Sequence, residues 1–260
     1  MNEDAIQLFM NARRQRVESY KESQMKKVAE EFMRTSIMPG YSYNFDWLGR
    51  PIIQYPQDMA AMQELIWKVK PDLILETGIA HGGSLIFSAS MLALLEYCDA
   101  AEKGELLDPG NPIRRVLGID IDIREHNRAA IEAHPMAGRI QMIQGSSVDA
   151  EVIQKVHAVA KEFSRILVCL DSMHTHDHVL AELEAYAPLV SPGSYCMVFD
   201  TIVEDLPEDF FSNRPWAKGN NPKTAVHEFL KTHREFEIDK EIEHKLLITV
   251  APDGYLKRVE

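Results

Sequence analysis

The chain has 260 residues, enough to bury one large core and still carry an extension. Its formal net charge of −12 argues against a general binder of nucleic acid or of anionic membrane, both of which need basic surface. Three cysteines, Cys98, Cys169 and Cys196, are an odd number at wide spacing and read as reduced core thiols rather than a disulfide or a zinc site.

No apolar run is expected to reach the length of a membrane span, and the opening residues MNEDAIQLF lack the charged-then-apolar order of a signal peptide. A cytoplasmic protein that binds neither nucleic acid nor membrane is expected. Residues 4–36 contain neither Gly nor Pro and mix charges with Leu, Phe, Val and Met, which predicts a helical arm. Residues 1–40 are therefore expected to form an N-terminal helical extension and 41–260 the ligand-binding domain. The arm would pack on the domain or on a second subunit, so a homo-oligomer is expected.

Residues 39–58 are rich in turn formers and aromatics. Tyr41, Tyr43, Phe45 and Trp47 are too apolar to leave in water, so an ordered loop that walls a ligand pocket is expected there. Residues 57–69 place apolar side chains at helical spacing. They lead through Lys70-Pro71 to the most informative stretch, LILETGIAHGGS at 73–84.

That stretch reads as a buried strand (73–76), a glycine-rich turn (77–83) and a helix opening at Ser84, which is placed to cap it. The turn, E-T-G-x-x-x-G-G-S, is neither a P-loop nor a clean G-x-G-x-x-G. No Lys follows, so an adenosine-type ligand fits better than a triphosphate. Glu76 at its start suits a cationic ligand such as the sulfonium and amino group of S-adenosylmethionine. The plainer alternative is a tight strand–helix turn without a ligand.

A second strand, 115–120, ends in Asp120. A carboxylate in that place accepts hydrogen bonds from ribose hydroxyls in doubly wound folds, with Asp122 the second choice. A surface carboxylate at a strand end is the alternative. A third strand, 140–144, ends in Gly145-Ser146-Ser147, where Ser147 either meets an adenine edge or caps the next helix. Helices are expected at 84–98, 150–163 and 176–187. Strands 165–170 and 195–199 end at Asp171 and Asp200.

Five alternations of strand and helix predict an α/β protein with a doubly wound, mainly parallel sheet. After a loop at 203–222 and a helix at 223–232, strands near 235–238 and 245–250 would add antiparallel edge strands.

Two carboxylates at neighbouring strand ends repel unless a proton or a cation lies between them, and such oxygens suit Mg2+. Thr201 or Glu204 would add a further oxygen. The alternative is that both carboxylates cap helices. Asp171 opens DSMHTHDH, which puts His174, His176 and His178 within eight residues. H-x-H-x-H does not present one helix face, and only His174 and His178 have the spacing to share one. His174, one turn past Asp171, is placed to take a proton from a hydroxyl, because histidine titrates near neutrality. His176 and His178 read as helix-start or packing residues.

WLGRPIIQYPQDM, ETGIAHGGS, GIDIDIREHN, LDSMHTHDHVLAELEAYAPLVSPGSY and PWAKGNNPKTAVHEFL together resemble the cephalosporin hydroxylase family. That family has the class I S-adenosylmethionine-dependent methyltransferase fold, which is Rossmann-like. The chain also resembles the related metal-dependent sugar O-methyltransferases. The resemblance runs from about Tyr43 to the C-terminus and leaves residues 1–40 outside it.

The resemblance implies that Glu76, Gly78, Gly82, Gly83 and Ser84 line the methionine part of S-adenosylmethionine. Asp120 would hold the ribose, and Ser147 would lie near the adenine. Asp171 and Asp200 would bind Mg2+, with Thr201 or a water in place of a further carboxylate unless the metal is weakly held or lost, and His174 would be the general base. Catechol-type methyltransferases look similar but place a lysine there. One departure stands out: the family often ends its fifth strand in Glu-Asp, and this chain has Phe199-Asp200.

The expected activity is methyl transfer to a hydroxyl of a sugar or similar small polar acceptor, with Trp47, Trp216 and Asn221 as candidate pocket walls. The rivals are a non-haem iron hydroxylase and a non-catalytic S-adenosylmethionine-binding subunit. An iron site would need two His and one carboxylate, and His176-Asp177 lacks the spacer of that motif.

Overall fold

A computed structural model describes residues 4–260. Two helices, α1 (Ala5–Tyr20) and α2 (Gln24–Ser36), replace the single expected arm. Ser23 makes the break, because its hydroxyl accepts from Lys26 N at 3.3 Å and starts α2. Met33 of α2 is buried in the main core, and Ser36 Oγ meets Tyr55 OH at 2.8 Å.

The expected aromatic loop holds a short antiparallel ribbon, β1 (Phe45–Trp47) and β2 (Arg50–Ile52). Its two-residue turn puts both Leu48 and Gly49 at positive φ, 47° and 81°, which matches the twist of the flanking strands. α3 (Pro56–Val69) follows, with proline in its first turn.

The alternating core then runs β3 (Leu73–Thr77), α4 (Gly83–Lys103), β4 (Arg115–Asp120), α5 (Glu125–Glu132), β5 (Ile140–Gln144) and α6 (Ala150–Ala160). It continues with β6 (Ile166–Leu170), α7 (His176–Tyr186), β7 (Tyr195–Val198), α8 (Pro222–Phe229), β8 (Phe236–Ile238), α9 (Lys240–Leu246) and β9 (Tyr255–Arg258). The last seven strands form one sheet ordered β5-β4-β3-β6-β7-β9-β8, parallel from β5 to β7 and antiparallel at the β9 and β8 edge.

Side chains alternate between two cores because successive Cβ atoms of a strand point to opposite faces. Ile74, Val116, Leu167, Cys169 and Met197 pack with α3 and α4 through Leu65, Leu85 and Leu92. Leu75, Leu117, Val168 and Cys196 pack with α6, α7 and α8 through Val156, Leu183 and Phe229. Burial on both faces explains why these strands read as continuous apolar runs.

Two expectations need correction. Residues 245–250 are not a strand. Asp239 caps α9, which runs through Leu246, and the edge strand β9 begins only after Gly254. The buried carboxylate of Asp58 anchors the intervening turn, accepting from Val250 N at 3.0 Å and Tyr255 OH at 2.8 Å and from the Thr249 hydroxyl. A ladder partner is thus replaced by a side chain. In addition, α4 is long and apolar enough to cross a membrane by length and composition, with 56% of its most apolar window buried. It is a core helix covering the sheet.

Candidate active site

The strand order reverses between β3 and β6, the point at which open α/β sheets form a ligand crevice beyond the strands' carboxyl ends. The glycine turn follows β3. Gly78 takes φ 88°, and its N–H donates to Ile119 O at 2.8 Å. A Cβ there would stand 2.1 Å from the Asp171 carbonyl oxygen, so only glycine fits. Gly83 passes equally close to the ribbon, where a Cβ would meet Pro51 O at 2.2 Å.

Arg50 fixes the ribbon to the turn, donating to His81 O at 3.0 Å and to Asn127 Oδ1 at 3.1 Å. The Asp120 carboxylate is already engaged, accepting from Ile79 N at 2.8 Å, Ala80 N at 3.3 Å and Asp122 N at 2.9 Å. It still borders the cavity.

Ser84 does not cap α4. The cap position is Gly82, and Ser84 lies inside the first turn with its hydroxyl donating to Glu76. Burial pushes the Glu76 carboxyl up to about 7, against the lowering effect of that hydrogen bond. Gly78, Gly83 and Ser84 line the cavity, and Glu76 and Gly82 do not. Glu76 borders instead a small inner cavity of about 30 Å³. Ser147 lies outside the cap position of α6, which Asp149 occupies, and meets His178 Nε2 at 3.1 Å at the cavity wall.

Asp171 and Asp200 converge through strand register. Leu170 pairs with Val198, and Phe199 N donates to Leu170 O at 3.0 Å, so Asp171 lies beside Phe199. Asp200 then turns through a left-handed conformation, φ 55°. One ligand atom from each of Asp171, His174 and Asp200 lies within 4.8 Å of the others. His174 Nε2 is 3.1 Å from Asp200 Oδ2, and its ring meets Trp216 edge-on with centroids 4.7 Å apart. Burial first, and then the charge of Asp200, push the Asp171 carboxyl well above the usual carboxylate range. A divalent cation relieves that arrangement, and the two carboxylates fit the oxygen preference of Mg2+.

These groups line one cavity of about 790 Å³. Asp120 and Ser147 are among the lining residues. The lining also includes Asp171, His174 and Asp200, with Trp216 against the His174 ring, and Tyr43, Phe211 and Arg214. The volume lies in the range of small-molecule sites.

A family model described as rhamnosyl O-methyltransferase/CmcI matches residues 39–259. The chain belongs to the rhamnosyl O-methyltransferase/CmcI family. Curated relatives named rhamnosyl O-methyltransferase include one from Mycobacterium tuberculosis, 28% identical over 206 residues, 77% of this chain and 73% of that protein. Another, from Mycobacterium leprae, is 26% identical over 214 residues, 82% of each chain. An apo structure of CmcI shares 20% identity at a TM-score of 0.57, over 84% of this chain and 77% of that one. A Mg-SAM structure of CmcI shares 19% identity at a TM-score of 0.55, over 84% and 78%. The likeness establishes the class I methyltransferase fold.

Several residues of this family member lie elsewhere than the sequence reading placed them. Thr201 is fully buried, and its hydroxyl donates to Pro252 O at 2.6 Å, so it does not join the carboxylates. Glu204 accepts from Gly219 N at 2.7 Å and from the Asn221 amide. Asn221 itself caps α8 and is fully buried. Trp47 packs against Phe87 and donates to Ser90 Oγ at 2.9 Å, away from the cavity. Trp216 does line it.

His176 starts α7 and meets Thr224 Oγ1 at 2.8 Å, as a helix-start residue does. His178 reaches the cavity wall between Ser147 and Ser172. Sequence reading did not single out Gln54, whose Nε2 donates to Asp171 Oδ2 at 3.2 Å. Its only signal was its place in the ordered loop ahead of the first core helix.

Proposed function

We propose that the protein is an S-adenosylmethionine- and Mg2+-dependent O-methyltransferase acting on a sugar hydroxyl, with a rhamnosyl group the first acceptor to test. The observation that carries this reading is the convergence of Asp171, Asp200 and His174 in the one cavity that the glycine turn also lines. The names of the curated relatives support the acceptor class.

When bound, S-adenosylmethionine supplies the methyl group and Mg2+ a Lewis acid beside the acceptor oxygen. Asp171 and Asp200 would hold the cation. His174 takes the proton of the acceptor hydroxyl, and the Asp200 carboxylate at 3.1 Å stabilises the imidazolium so formed. Trp216 fixes the histidine ring from its edge and gives a sugar ring an aromatic wall. The turn from Gly78 to Ser84, with Asp120 and Ser147, would seat the cofactor, and the acceptor would lie by Trp216, which touches His174, with Tyr43, Phe211 and Arg214 also lining the cavity.

An iron hydroxylase finds less support, since the described residues bring one histidine, not two, to the carboxylates. Self-association and a cytoplasmic location are part of the same proposal. For the first, Ile6, Leu8 and Phe9 of α1 are all more than half exposed, and light scattering measures the outcome.

Methyl transfer from labelled S-adenosylmethionine to a panel of rhamnosides and other glycosides, with and without chelator, tests the activity. Metal-dependent labelling that Asp171→Ala abolishes is expected. Cofactor binding with no turnover on any sugar would favour a non-catalytic subunit.

A further inference from the structure

Gln54 lies two residues past β2 and rests its amide on the first carboxylate of the site, Nε2 donating to Asp171 Oδ2 at 3.2 Å. Its other amide atom, Oε1, is shielded from solvent and has no hydrogen-bond partner. No bond to that oxygen therefore holds the amide in one orientation. The residue is 9% exposed and borders both the main cavity and the inner one beneath it.

Phe199 lies beside Asp171 across the strand register and also borders the inner cavity. An apolar ring stands at that position and offers the site no donor. Two carboxylates and one histidine converge there among the described residues, and an amide with an unpartnered oxygen rests on one of the carboxylates.

We propose that Gln54 supplies a third protein oxygen to the metal beside the carboxylates of Asp171 and Asp200. The inference rests on the metal-dependent reading of the site. Side-chain amide oxygens are ordinary ligands of hard divalent cations. The 3.2 Å between the Gln54 amide and Asp171 Oδ2 is close to the spacing of adjacent oxygens around an octahedral Mg2+, about 3 Å for bonds near 2.1 Å. A half-turn of the terminal amide places Oε1 where Nε2 now stands. Two carboxylates and a neutral amide balance the charge of a divalent cation, whereas three carboxylates would leave the site negative.

Mn2+ binding, read by electron paramagnetic resonance of the free ion, tests this without turnover. Wild type, Gln54→Leu and Gln54→Glu are compared. S-adenosylmethionine affinity in metal-free buffer and the thermal midpoint serve as controls of fold. Gln54→Leu is expected to weaken Mn2+ binding about tenfold or more, and Gln54→Glu to bind at least as tightly as wild type, with cofactor affinity unchanged. Unchanged Mn2+ affinity in Gln54→Leu overturns the proposal and leaves the methyltransferase reading standing. Gln54→Glu as weak as Gln54→Leu also overturns it, because the amide would then serve only as a donor to Asp171. Wild type that binds neither Mn2+ nor S-adenosylmethionine removes the functional reading and this inference together.

Discussion

His174 Nε2 lies 3.1 Å from Asp200 Oδ2, and Asp200 reaches it from a left-handed backbone conformation, φ 55°. A non-glycine residue pays about 1–2 kcal/mol for that conformation, and here it also faces the carboxylate of Asp171. Strain of this kind persists where the surrounding structure holds it, and it marks a site that favours function over stability.

Asp200→Gly separates the two. Glycine adopts φ near 55° without penalty and removes the opposing charge. We expect the variant to be as stable as wild type or more stable by about 1 kcal/mol in urea titration, with methyl transfer and metal binding lost. A clear loss of stability would show that Asp200 holds the fold.

His174→Ala is expected to lower kcat by about 10²–10⁴-fold while leaving cofactor affinity within a few fold, since the ring touches Asp200 and Trp216 and not the glycine turn. Stopped-flow or single-turnover transfer measures it. A loss under tenfold would remove His174 from proton transfer.

Glu76 gives a pH-dependent test. Its carboxyl is raised to about 7 by burial, so the folded state holds the proton more tightly than the unfolded chain. Its contribution to stability is therefore fully present below the unfolded value of about 4.5 and is lost as pH rises to about 7. Glu76→Gln keeps an acceptor for the Ser84 hydroxyl and cannot ionise. Without ligand, the variant should gain on wild type by about 1–3 kcal/mol between pH 4.5 and pH 8, read from urea midpoints at each pH. A constant difference across that range would mean that Glu76 is ionised throughout in the folded protein.

Far from the site, Arg139 donates to both oxygens of Glu96 at 2.6 and 2.7 Å, and both side chains are nearly inaccessible. Glu96 also accepts from Arg114 N at 2.7 Å. Arg139→Met leaves a buried carboxylate without its partner and should cost about 3–5 kcal/mol. The double variant Glu96→Leu, Arg139→Met should recover part of that loss. Thermal and urea denaturation check both, and cofactor affinity should not change.

The β-strands up to Leu170 and the turn between β3 and α4 were legible because each is fixed locally. Runs such as ILVCL are apolar on both faces, and the turn needs glycine for a close backbone approach. Asp171, His174 and Asp200 were legible as strand-end and one-turn neighbours. The edge strand was misplaced because LLITV at 246–250 has the composition of a strand, whereas a distant carboxylate, Asp58, takes up its backbone donor at Val250 and turns the chain. Thr201, Trp47 and Asn221 were misassigned for a related reason. Their side chains are captured by Pro252, Ser90 and Glu204, partners from 17 to 51 residues away.

The sequence by itself determined the parallel core, the glycine turn and the carboxylates at the strand ends, since period, apolar run and turn chemistry act over a few residues. Only the tertiary structure decided which side chains face the cavity. Gln54 reaches Asp171 across 117 residues of chain, and Asp200 meets His174 only after a left-handed step. Contacts of that kind depend on strand register and on which buried groups have already paired, and neither is written in local spacing.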